Sequence, residues 1–334
     1  MKIQPSFCFE NYLILDDQRL RPMKFLLSFM IILLTSSAQS HAQSVEKYQI
    51  SPALEQIPLW SHSMPDASGS RETEIINAKG SVTNVSNPRL IIHKPKNPNG
   101  TAILVISGGG YAHIELGKES TPAANWLQSE GITAFELIYR LPQENWKSTN
   151  VPFEDAQRAV RIIRSLAKNY GIDPNKIGVL GFSAGGHLAG FTAAQPNKTL
   201  YMPIDDIDAL SARPDFAGLI YPVISMLPPN NKTHSKKSIL GENPSTEQEA
   251  AFSVEKQVDG NMPDTFITQA ADDPISLVDN SFLMYSAIRK VNVPAEIHIF
   301  QTGGHGWGLG KKGSPVTSWP SLFKNWAQNN GFWK

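Results

Sequence analysis

The sequence predicts an α/β fold in which a mostly parallel, doubly wound sheet carries helices on both faces. Two observations predict it. From residue 89 onward short apolar runs alternate with longer helical patterns, and glycine or proline marks many of the boundaries between them. A chain of 334 residues, of which 41% are hydrophobic, can build one large domain, which we predict to span residues 43–334.

Seven short runs predict the strands of this sheet. Thr101–Ile106 and Ile177–Leu180 are apolar runs typical of buried strands, whereas Ala295–Phe300 alternates apolar and polar residues. The other predicted strands are Arg89–His93, Ile132–Tyr139, Phe216–Tyr221 and Asp264–Gln269. Strands that alternate with helices in this way form parallel sheets, and ligands bind beyond the carboxyl ends of such strands.

Five segments between the strands predict helices. The helix that begins at Thr121 has proline in its first turn and ends at Gly131. Pro152–Tyr170 places its apolar residues on one face, at spacings of three and four, and Gly171 ends it. The other predicted helices are Gly185–Ala194, Leu277–Val291 and Ser321–Asn330.

Three stretches do not fit this alternation. The polar lead-in Gln43–Arg89 contains proline and glycine, and we expect it to wrap the outside of the domain. Leu200–Pro214 and Ile224–Asn261 are candidates for short cap loops that face the substrate. The acids at 205, 206 and 208 are expected to cap helices, with cation binding as the alternative.

The N-terminal residues predict export. Met23 and Lys24 give a positive start, Phe25–Leu34 is apolar, and Ser40-His41-Ala42 supplies a small-x-small cleavage site. Residues 23–42 are therefore predicted to be a signal peptide cleaved near Ala42, which implies a periplasmic or secreted protein. The apolar run is too short to span a bilayer, so we expect no stable membrane insertion after cleavage; an uncleaved anchor is the alternative.

Residues 1–22 precede this second methionine and are polar and charged, so we interpret them as a non-native upstream extension. The only cysteine, Cys8, lies in the extension. The mature chain would then have no disulfide and no thiol nucleophile.

The motif G-x-S-x-G at Gly181–Gly185 is the most informative feature of the chain. It lies between a predicted strand and a predicted helix, the context in which a sharp turn lifts the hydroxyl of Ser183 above a sheet. Glycine suits a turn in which backbone approaches backbone. The helix N-terminus adds free amides and partial positive charge beside the serine, which predicts a nucleophile.

A histidine and an acid at the ends of later strands complete the pattern. His305 follows the strand Ala295–Phe300 in a glycine-rich loop and is predicted to be the base. Asp273 follows the strand before it and is predicted to orient the histidine, with Asp272 as the alternative. His187, one helical turn after Ser183, is expected to point into the body of the protein.

A triple glycine follows the strand Thr101–Ile106 and exposes backbone amides. We predict an oxyanion hole formed by the amide of Ala184 together with that of Gly109 or Gly110. A flexible loop and a phosphate cradle are the alternatives, but no phosphate-binding glycine motif accompanies the loop.

These motifs resemble those of the α/β-hydrolase superfamily. The segments that carry the resemblance are SGGGY (107–111), ITAFELIYRLP (132–142), DAQRAVRIIR (155–164), GFSAGGHLAG (181–190), AADDP (270–274) and GGHGWGLG (303–310). More narrowly, the chain is similar to secreted bacterial acetyl xylan esterases and feruloyl-esterase-like domains. This resemblance implies a serine esterase that works through an acyl-enzyme.

Three side chains flank the predicted site and are expected to contact substrate: Tyr111, His113 and Trp307. An aromatic side chain beside a catalytic base can stack on a sugar or aryl group, although Trp307 could instead pack the loop. The resemblance favours deacetylation of an acylated plant polysaccharide or oligosaccharide. Feruloyl removal, or general short-chain ester hydrolysis, is the second choice.

Other classes of function have less support. A serine peptidase of the prolyl-oligopeptidase type would need a propeller domain that the chain cannot supply. A non-catalytic sugar-binding module would be expected to lack one of the three predicted residues. A net charge of zero argues against nucleic acid as a partner, and no zinc-binding spacing occurs, so we expect neither metal nor cofactor. The sequence does not indicate an oligomeric state.

Overall fold

The strands predicted from the sequence lie side by side in one eight-stranded sheet. The structure, a computed structural model, describes residues 47–61, 64–69 and 72–334. The predicted extension and signal peptide, residues 1–42, lie outside the described residues. The described residues belong to one compact unit, Glu46–Lys334.

The described strands and helices are as follows. The strands are β1 Glu55–Pro58, β2 Ile75–Ile76, β3 Ser81–Thr83, β4 Arg89–His93, β5 Ala102–Ile106, β6 Ile114–Glu115, β7 Thr133–Ile138, β8 Ile177–Phe182, β9 Phe216–Ile220, β10 Asp264–Ala270 and β11 Ala295–Phe300. The α-helices are α1 Thr121–Ser129, α2 Val151–Ser165, α3 Ala167–Tyr170, α4 Ala184–Ala194, α5 His234–Leu240, α6 Thr246–Ala251, α7 Asp279–Lys290 and α8 Trp319–Asn329. One π-helical turn, Leu116–Ser120, and the 3₁₀ turns Asp206–Ala209, Val254–Lys256 and Pro315–Ser318 connect them.

The main sheet has the strand order β1-β4-β7-β5-β8-β9-β10-β11. The six strands from β7 to β11 in this order run parallel; at one edge β4 pairs antiparallel with β7, and β1 pairs antiparallel with β4. The predicted mostly parallel sheet is therefore confirmed. The parallel register brings the ends of β8, β10 and β11 to one rim, and the loops after these strands carry the predicted site.

Helices cover both faces of the sheet, and on each face an apolar cluster lies between the sheet and the helices. In the central strand β5, Leu104 and Ile106 belong to one cluster, with residues of α2, α4 and α7. Ile103 and Val105 belong to the other, with residues of α1 and α8. Side chains alternate along a strand, so a strand that is apolar throughout buries one set in each layer.

The lead-in before Arg89 does more than wrap the outside of the domain. Its β1 pairs antiparallel with β4 and extends the main sheet. Strands β2 and β3 form a small second sheet with β6, the strand that follows the triple glycine. The stretch Ile224–Asn261, predicted as a cap loop, contains the short helices α5 and α6.

Candidate active site

Ser183 lies at the sharp turn between β8 and α4, with backbone φ of +52° and ψ of −118°. This conformation is strained for a residue with a side chain and persists only where the surroundings enforce it. A Cβ on Gly181 would lie 2.1 Å from the carbonyl oxygen of Gly185, and a Cβ on Gly185 would lie 2.2 Å from that of Ile106. Close backbone packing therefore requires both glycines of the motif.

A hydrogen-bonded relay joins Ser183 to two side chains from distant parts of the chain. Nε2 of His305 lies 2.8 Å from Oγ of Ser183, and Nδ1 of the same ring lies 2.7 Å from Oδ2 of Asp273. When the imidazole is neutral, the serine hydroxyl donates to Nε2 and Nδ1–H donates to the carboxylate. In this arrangement the ring can accept the serine proton.

The two adjacent aspartates have different partners. The Asp273 side chain is fully buried, and its Oδ1 accepts from two amides of its own turn at 2.8 and 2.9 Å, which leaves Oδ2 for His305. Oδ1 of Asp272 accepts from the amides of Gly303 and Gly304, both at 2.8 Å. Asp273 therefore contacts the imidazole, whereas Asp272 braces the loop that carries it.

The loop after β5 brings glycine amides close to the nucleophile. A Cβ on Gly108 would lie 2.8 Å from Cβ of Ser183, so the loop and the serine turn are in close contact. Gly109 and Gly110 line the cleft above Ser183, and no hydrogen bond within the described residues uses their amides. Ala184 begins α4, so its amide has no acceptor within the helix. The predicted oxyanion donors thus surround the serine.

The relay and the glycine loop open into a cleft of about 420 Å³. His113 lines this cleft as expected, and its Nε2 lies 3.3 Å from Oε2 of Glu115. The segment predicted as a cap contributes Thr233 and His234. The His234 ring packs on Gly110, where an added Cβ would lie 3.0 Å away. The sequence analysis did not single out His234, because it is one histidine in a polar stretch without a motif.

The prediction that Tyr111 contacts substrate is wrong. Its backbone φ is +59°, its side chain is completely buried, and its hydroxyl lies 2.8 Å from Nδ1 of His187. His187 is also fully buried, as expected, and its Nε2 lies 2.7 Å from the carbonyl oxygen of Phe252. Burial lowers the pKa of His187 to about 4, so this imidazole is neutral at physiological pH. The side chains of Tyr111 and His187 therefore pack on the buried side of the turn that carries Ser183.

A second cleft, of about 430 Å³, adjoins the first and shares Lys118 and His305 with it. Trp307 lines this second cleft and is absent from the walls of the first. Its ring centroid lies 4.4 Å from that of Tyr221 in an edge-to-face contact, and only 7% of the residue is exposed. Trp307 therefore packs the histidine loop, the alternative that the sequence left open, and borders the neighbouring cleft.

A buried acid that the sequence analysis did not identify also lines the first cleft. Oε2 of Glu119 accepts from the amide of Gly108 at 2.6 Å, and Oε1 accepts from the hydroxyl of Tyr221 at 3.0 Å. Burial raises the pKa of Glu119, and these two donors oppose the rise. Glu119 lies in the π-helical turn Leu116–Ser120, between a predicted strand and a predicted helix, where no motif or spacing marks it.

Other expected or alternative sites can be located in the structure. Within residues 47–61, 64–69 and 72–334, no group of three or more His, Cys, Asp or Glu side chains is arranged to hold a metal ion. Of the acidic cluster, Asp205 and Asp208 form ion pairs with Arg158 at 2.6 and 2.9 Å. In the same described part of the chain, no helix is long and apolar enough to cross a membrane.

Residues 90–288 match the model of the BD-FAE family, and this match spans more than half of the chain. The chain belongs to the BD-FAE family. The matched region contains the glycine loop, Ser183 and Asp273, and it ends before His305. The resemblance to α/β-hydrolase esterases is thereby confirmed.

Curated relatives of this BD-FAE chain include an acetylxylan esterase and a xylanase. It is 32% identical over 226 residues to an acetylxylan esterase of Xylanibacter ruminicola, a match to 66% of this chain and 44% of that protein. It is 38% identical over 212 residues to endo-1,4-beta-xylanase B of Butyrivibrio fibrisolvens, a match to 61% of this chain and 32% of that protein. The chain therefore spans less than half the length of these two relatives.

Solved structures extend the similarity over most of the BD-FAE chain. An acetyl ester-xyloside bifunctional hydrolase from Caldicellulosiruptor lactoaceticus is 35% identical, with a TM-score of 0.71, and the match covers 84% of this chain and 97% of that one. Esterase 2 of Thermogutta terrifontis is 25% identical, with a TM-score of 0.64, over 81% of this chain and 98% of that one. The relatives include carboxylic ester hydrolases, and the α/β-hydrolase fold is confirmed.

Proposed function

We propose that the chain is an exported serine carboxylic-ester hydrolase that removes acetyl groups from plant polysaccharide or oligosaccharide through an acyl-enzyme. The observation that carries this proposal is the relay from Ser183 through His305 to Asp273, with hydrogen bonds of 2.8 and 2.7 Å. Beside it, the amides of Gly109 and Gly110 donate no hydrogen bond within the described residues. A nucleophile, a base, an acid and oxyanion donors at one strained turn suit acyl transfer.

The geometry supports the following sequence of steps. Oγ of Ser183 attacks the acyl carbonyl carbon while Nε2 of His305 takes its proton, and Asp273 stabilises the imidazolium. The amides of Ala184 and the glycine loop stabilise the oxyanion, and each such donor is worth ~10²–10³ in turnover. His305 then protonates the departing alcohol oxygen, and the acyl group remains on Ser183. A water molecule, deprotonated by His305, attacks the acyl carbon, and His305 returns the proton to Oγ of Ser183 as the carboxylic acid is released.

The two adjoining clefts support an acylated carbohydrate as substrate. The first cleft contains Ser183 and the glycine loop, so the acyl carbonyl would lie there. The group that protonates the departing alcohol is His305, which also borders the second cleft. The alcohol part would therefore leave toward the second cleft, whose volume of about 430 Å³ can hold a sugar ring. The names of the acetylxylan esterase and the acetyl ester-xyloside hydrolase agree with this substrate class.

Replacement of the nucleophile tests the reaction type. Ser183→Ala should lower hydrolysis of a short-chain aryl acetate by ~10⁴-fold or more and abolish labelling by a fluorophosphonate probe. Ser129→Ala is the control, because Ser129 is exposed at the end of α1 and its hydroxyl bonds only within that helix. Wild-type turnover in purified Ser183→Ala would refute the serine mechanism.

A comparison of products tests the substrate. The wild-type protein should release acetate from acetylated xylan faster than it releases ferulate from feruloylated xylan at equal ester concentration. Faster ferulate release would replace deacetylation by feruloyl removal. Export is tested separately: cells that express the full sequence should yield a mature protein that begins near Gln43, the residue after the predicted cleavage site.

A further inference from the structure

We propose that Glu119 is a positioning residue. It fixes the glycine loop (residues 107–111) and the histidine loop (residues 303–310) in place relative to each other, on the two sides of Ser183. This inference rests on the proposed serine esterase function and adds a residue that neither the motifs nor the relay identifies. A single carboxylate would thereby set the geometry of the oxyanion donors and of the base together.

The hydrogen bonds of Glu119 lead to both loops. On one side Oε2 accepts from the amide of Gly108, directly before the predicted donor Gly109, at 2.6 Å. On the other side Oε1 accepts from the Tyr221 hydroxyl at 3.0 Å, and the oxygen of that hydroxyl accepts from the amide of Gly308 at 3.0 Å. Gly308 lies three residues after His305. The chain of contacts therefore starts at the glycine loop and ends in the histidine loop.

Tyr221 makes this connection rigid. Its backbone φ of +38° is uncommon for a residue with a side chain, and the whole residue is buried. Its ring packs edge-to-face against His305, with centroids 5.1 Å apart, and against Trp307 at 4.4 Å. The phenol therefore touches the imidazole with its ring while its hydroxyl connects Glu119 to the amide of Gly308.

Burying a carboxylate costs more free energy than burying an apolar side chain of similar size. Only 3% of Glu119 is exposed, and no ion pair joins it to a lysine, arginine or histidine of the described chain. Burial raises the pKa of Glu119 although its two hydrogen-bond donors and the nearby His305 oppose the rise, and an apolar side chain would pack without that cost. The two hydrogen bonds are the contacts that only a carboxylate, with two acceptor oxygens, makes in full. Their partners belong to the two loops that the reaction needs.

Loss of these bonds should reduce turnover more than substrate binding. Glu119 does not hydrogen-bond to Ser183, His305 or Asp273, and its partners are one backbone amide and one phenol. A shift of the oxyanion donors or of the imidazole by about 1 Å can cost ~10²-fold in rate. The oxyanion donors and the imidazole act mainly on the transition state rather than on bound substrate, so KM should change little.

Steady-state kinetics on a short-chain aryl acetate test the inference. We expect Glu119→Ala to lower kcat by ~10²-fold with KM within about threefold of wild type. Tyr221→Phe, which keeps the ring but removes the hydroxyl, should lower kcat by ~10-fold, and the double variant should be no slower than Glu119→Ala alone. Glu119→Gln keeps one acceptor oxygen for the Gly108 amide and gains an N–H donor for the Tyr221 oxygen. Its kcat should therefore be at least about tenfold higher than that of Glu119→Ala.

Glu144→Ala is the matched control for a merely structural role. Glu144 is a half-buried carboxylate that also accepts two hydrogen bonds, in its case from the amides of Asn84 and Val85, and it lines neither cleft. Both alanine variants should melt at lower temperature than wild type, but Glu144→Ala should keep wild-type kcat at a temperature where each variant is folded. Equal losses of kcat in the two variants, or additive losses in the double variant, would overturn the inference.

The outcomes separate this inference from the proposed function. If the wild-type protein hydrolyses the ester and Ser183→Ala does not, the serine mechanism stands whatever Glu119→Ala does. A kcat of Glu119→Ala within threefold of wild type would then refute the positioning role alone. If Glu119→Ala does not fold, the kcat of Tyr221→Phe decides: a tenfold loss supports the connection, and wild-type kcat overturns it.

Discussion

At the scale of single residues, the adjacent acids Asp272 and Asp273 give the sharpest test of the relay. Asp273→Asn should lower kcat by ~10⁴-fold, because the carboxamide no longer stabilises the imidazolium and can favour the wrong tautomer of His305. Asp272→Asn should keep kcat within about threefold of wild type. Its remaining amide oxygen can still accept from Gly303 and Gly304, as Oδ1 does now.

The measurement is kcat for a short-chain aryl acetate over a range of pH. The two variants differ by one position and carry the same change of charge, so each controls for the other. A larger loss in Asp272→Asn than in Asp273→Asn would mean that the 2.7 Å contact between Asp273 and His305 does not serve the reaction.

The residues whose meeting could be expected from the sequence are those whose position along a strand fixes their place in the fold. Ser183, Asp273 and His305 each follow a parallel strand, and such strands end at one rim of the sheet. The burial of the Tyr111 side chain could not be predicted in this way. The backbone of Tyr111 has a positive φ, and its ring points into the core. Glu119 depends on contacts with residues far along the chain, and no local pattern carries that information.

At the scale of elements, the contact between α4 and the end of β5 should be intolerant of added volume. A methyl group on Gly185 would lie 2.2 Å from the carbonyl oxygen of Ile106 and 2.5 Å from that of Ser107, and backbone atoms cannot move aside. We expect Gly185→Ala to lower the free energy of unfolding by about 3 kcal/mol or more. Denaturant unfolding followed by circular dichroism measures this change.

Gly190, in the same helix, provides the control. A methyl group there would meet a side-chain carbon of Val254 at 3.2 Å, which can give by a few tenths of an ångström. Because alanine also favours the helix interior, Gly190→Ala should change the free energy of unfolding by less than about 1 kcal/mol. Similar losses in both variants would show that close approach to β5 is not what requires glycine at position 185.

The long elements of the fold could be predicted, and the short ones could not. The central strands and the helices α1, α2, α4, α7 and α8 have enough residues to show a period, and their observed bounds agree with the predicted ones within a few residues. Strands of two or three residues, such as β2 and β3, are too short to alternate. Helix α6 does carry a sequence signal, since Ser245 and Gln248 form a capping box at its start.

At the scale of the whole molecule, a net charge of zero conceals an uneven distribution around the site. Lys118 lines both clefts, but Glu115 and Glu119 line only the first, whereas Lys311 lines only the second, which has no aspartate or glutamate in its wall. Neither lysine forms an ion pair within the described chain. The alcohol part of the substrate would therefore leave into a positively charged region.

This distribution predicts a preference for esters whose alcohol part carries a carboxylate. For 4-acetoxybenzoate against its neutral analogue 4-acetoxybenzamide, we expect a ratio of kcat/KM of about 5 at low salt, as a partly exposed charge contact of ~1 kcal/mol gives. The ratio should fall toward one in 1 M NaCl, because the Debye length shrinks to ~3 Å. Lys311→Ala should lower the ratio at low salt, whereas Lys312→Ala should leave it unchanged, because Lys312 is exposed beside Lys311 but does not line the cleft. A wild-type ratio that is insensitive to salt, or an equal effect of the two lysine variants, would show that the cleft does not receive the leaving group.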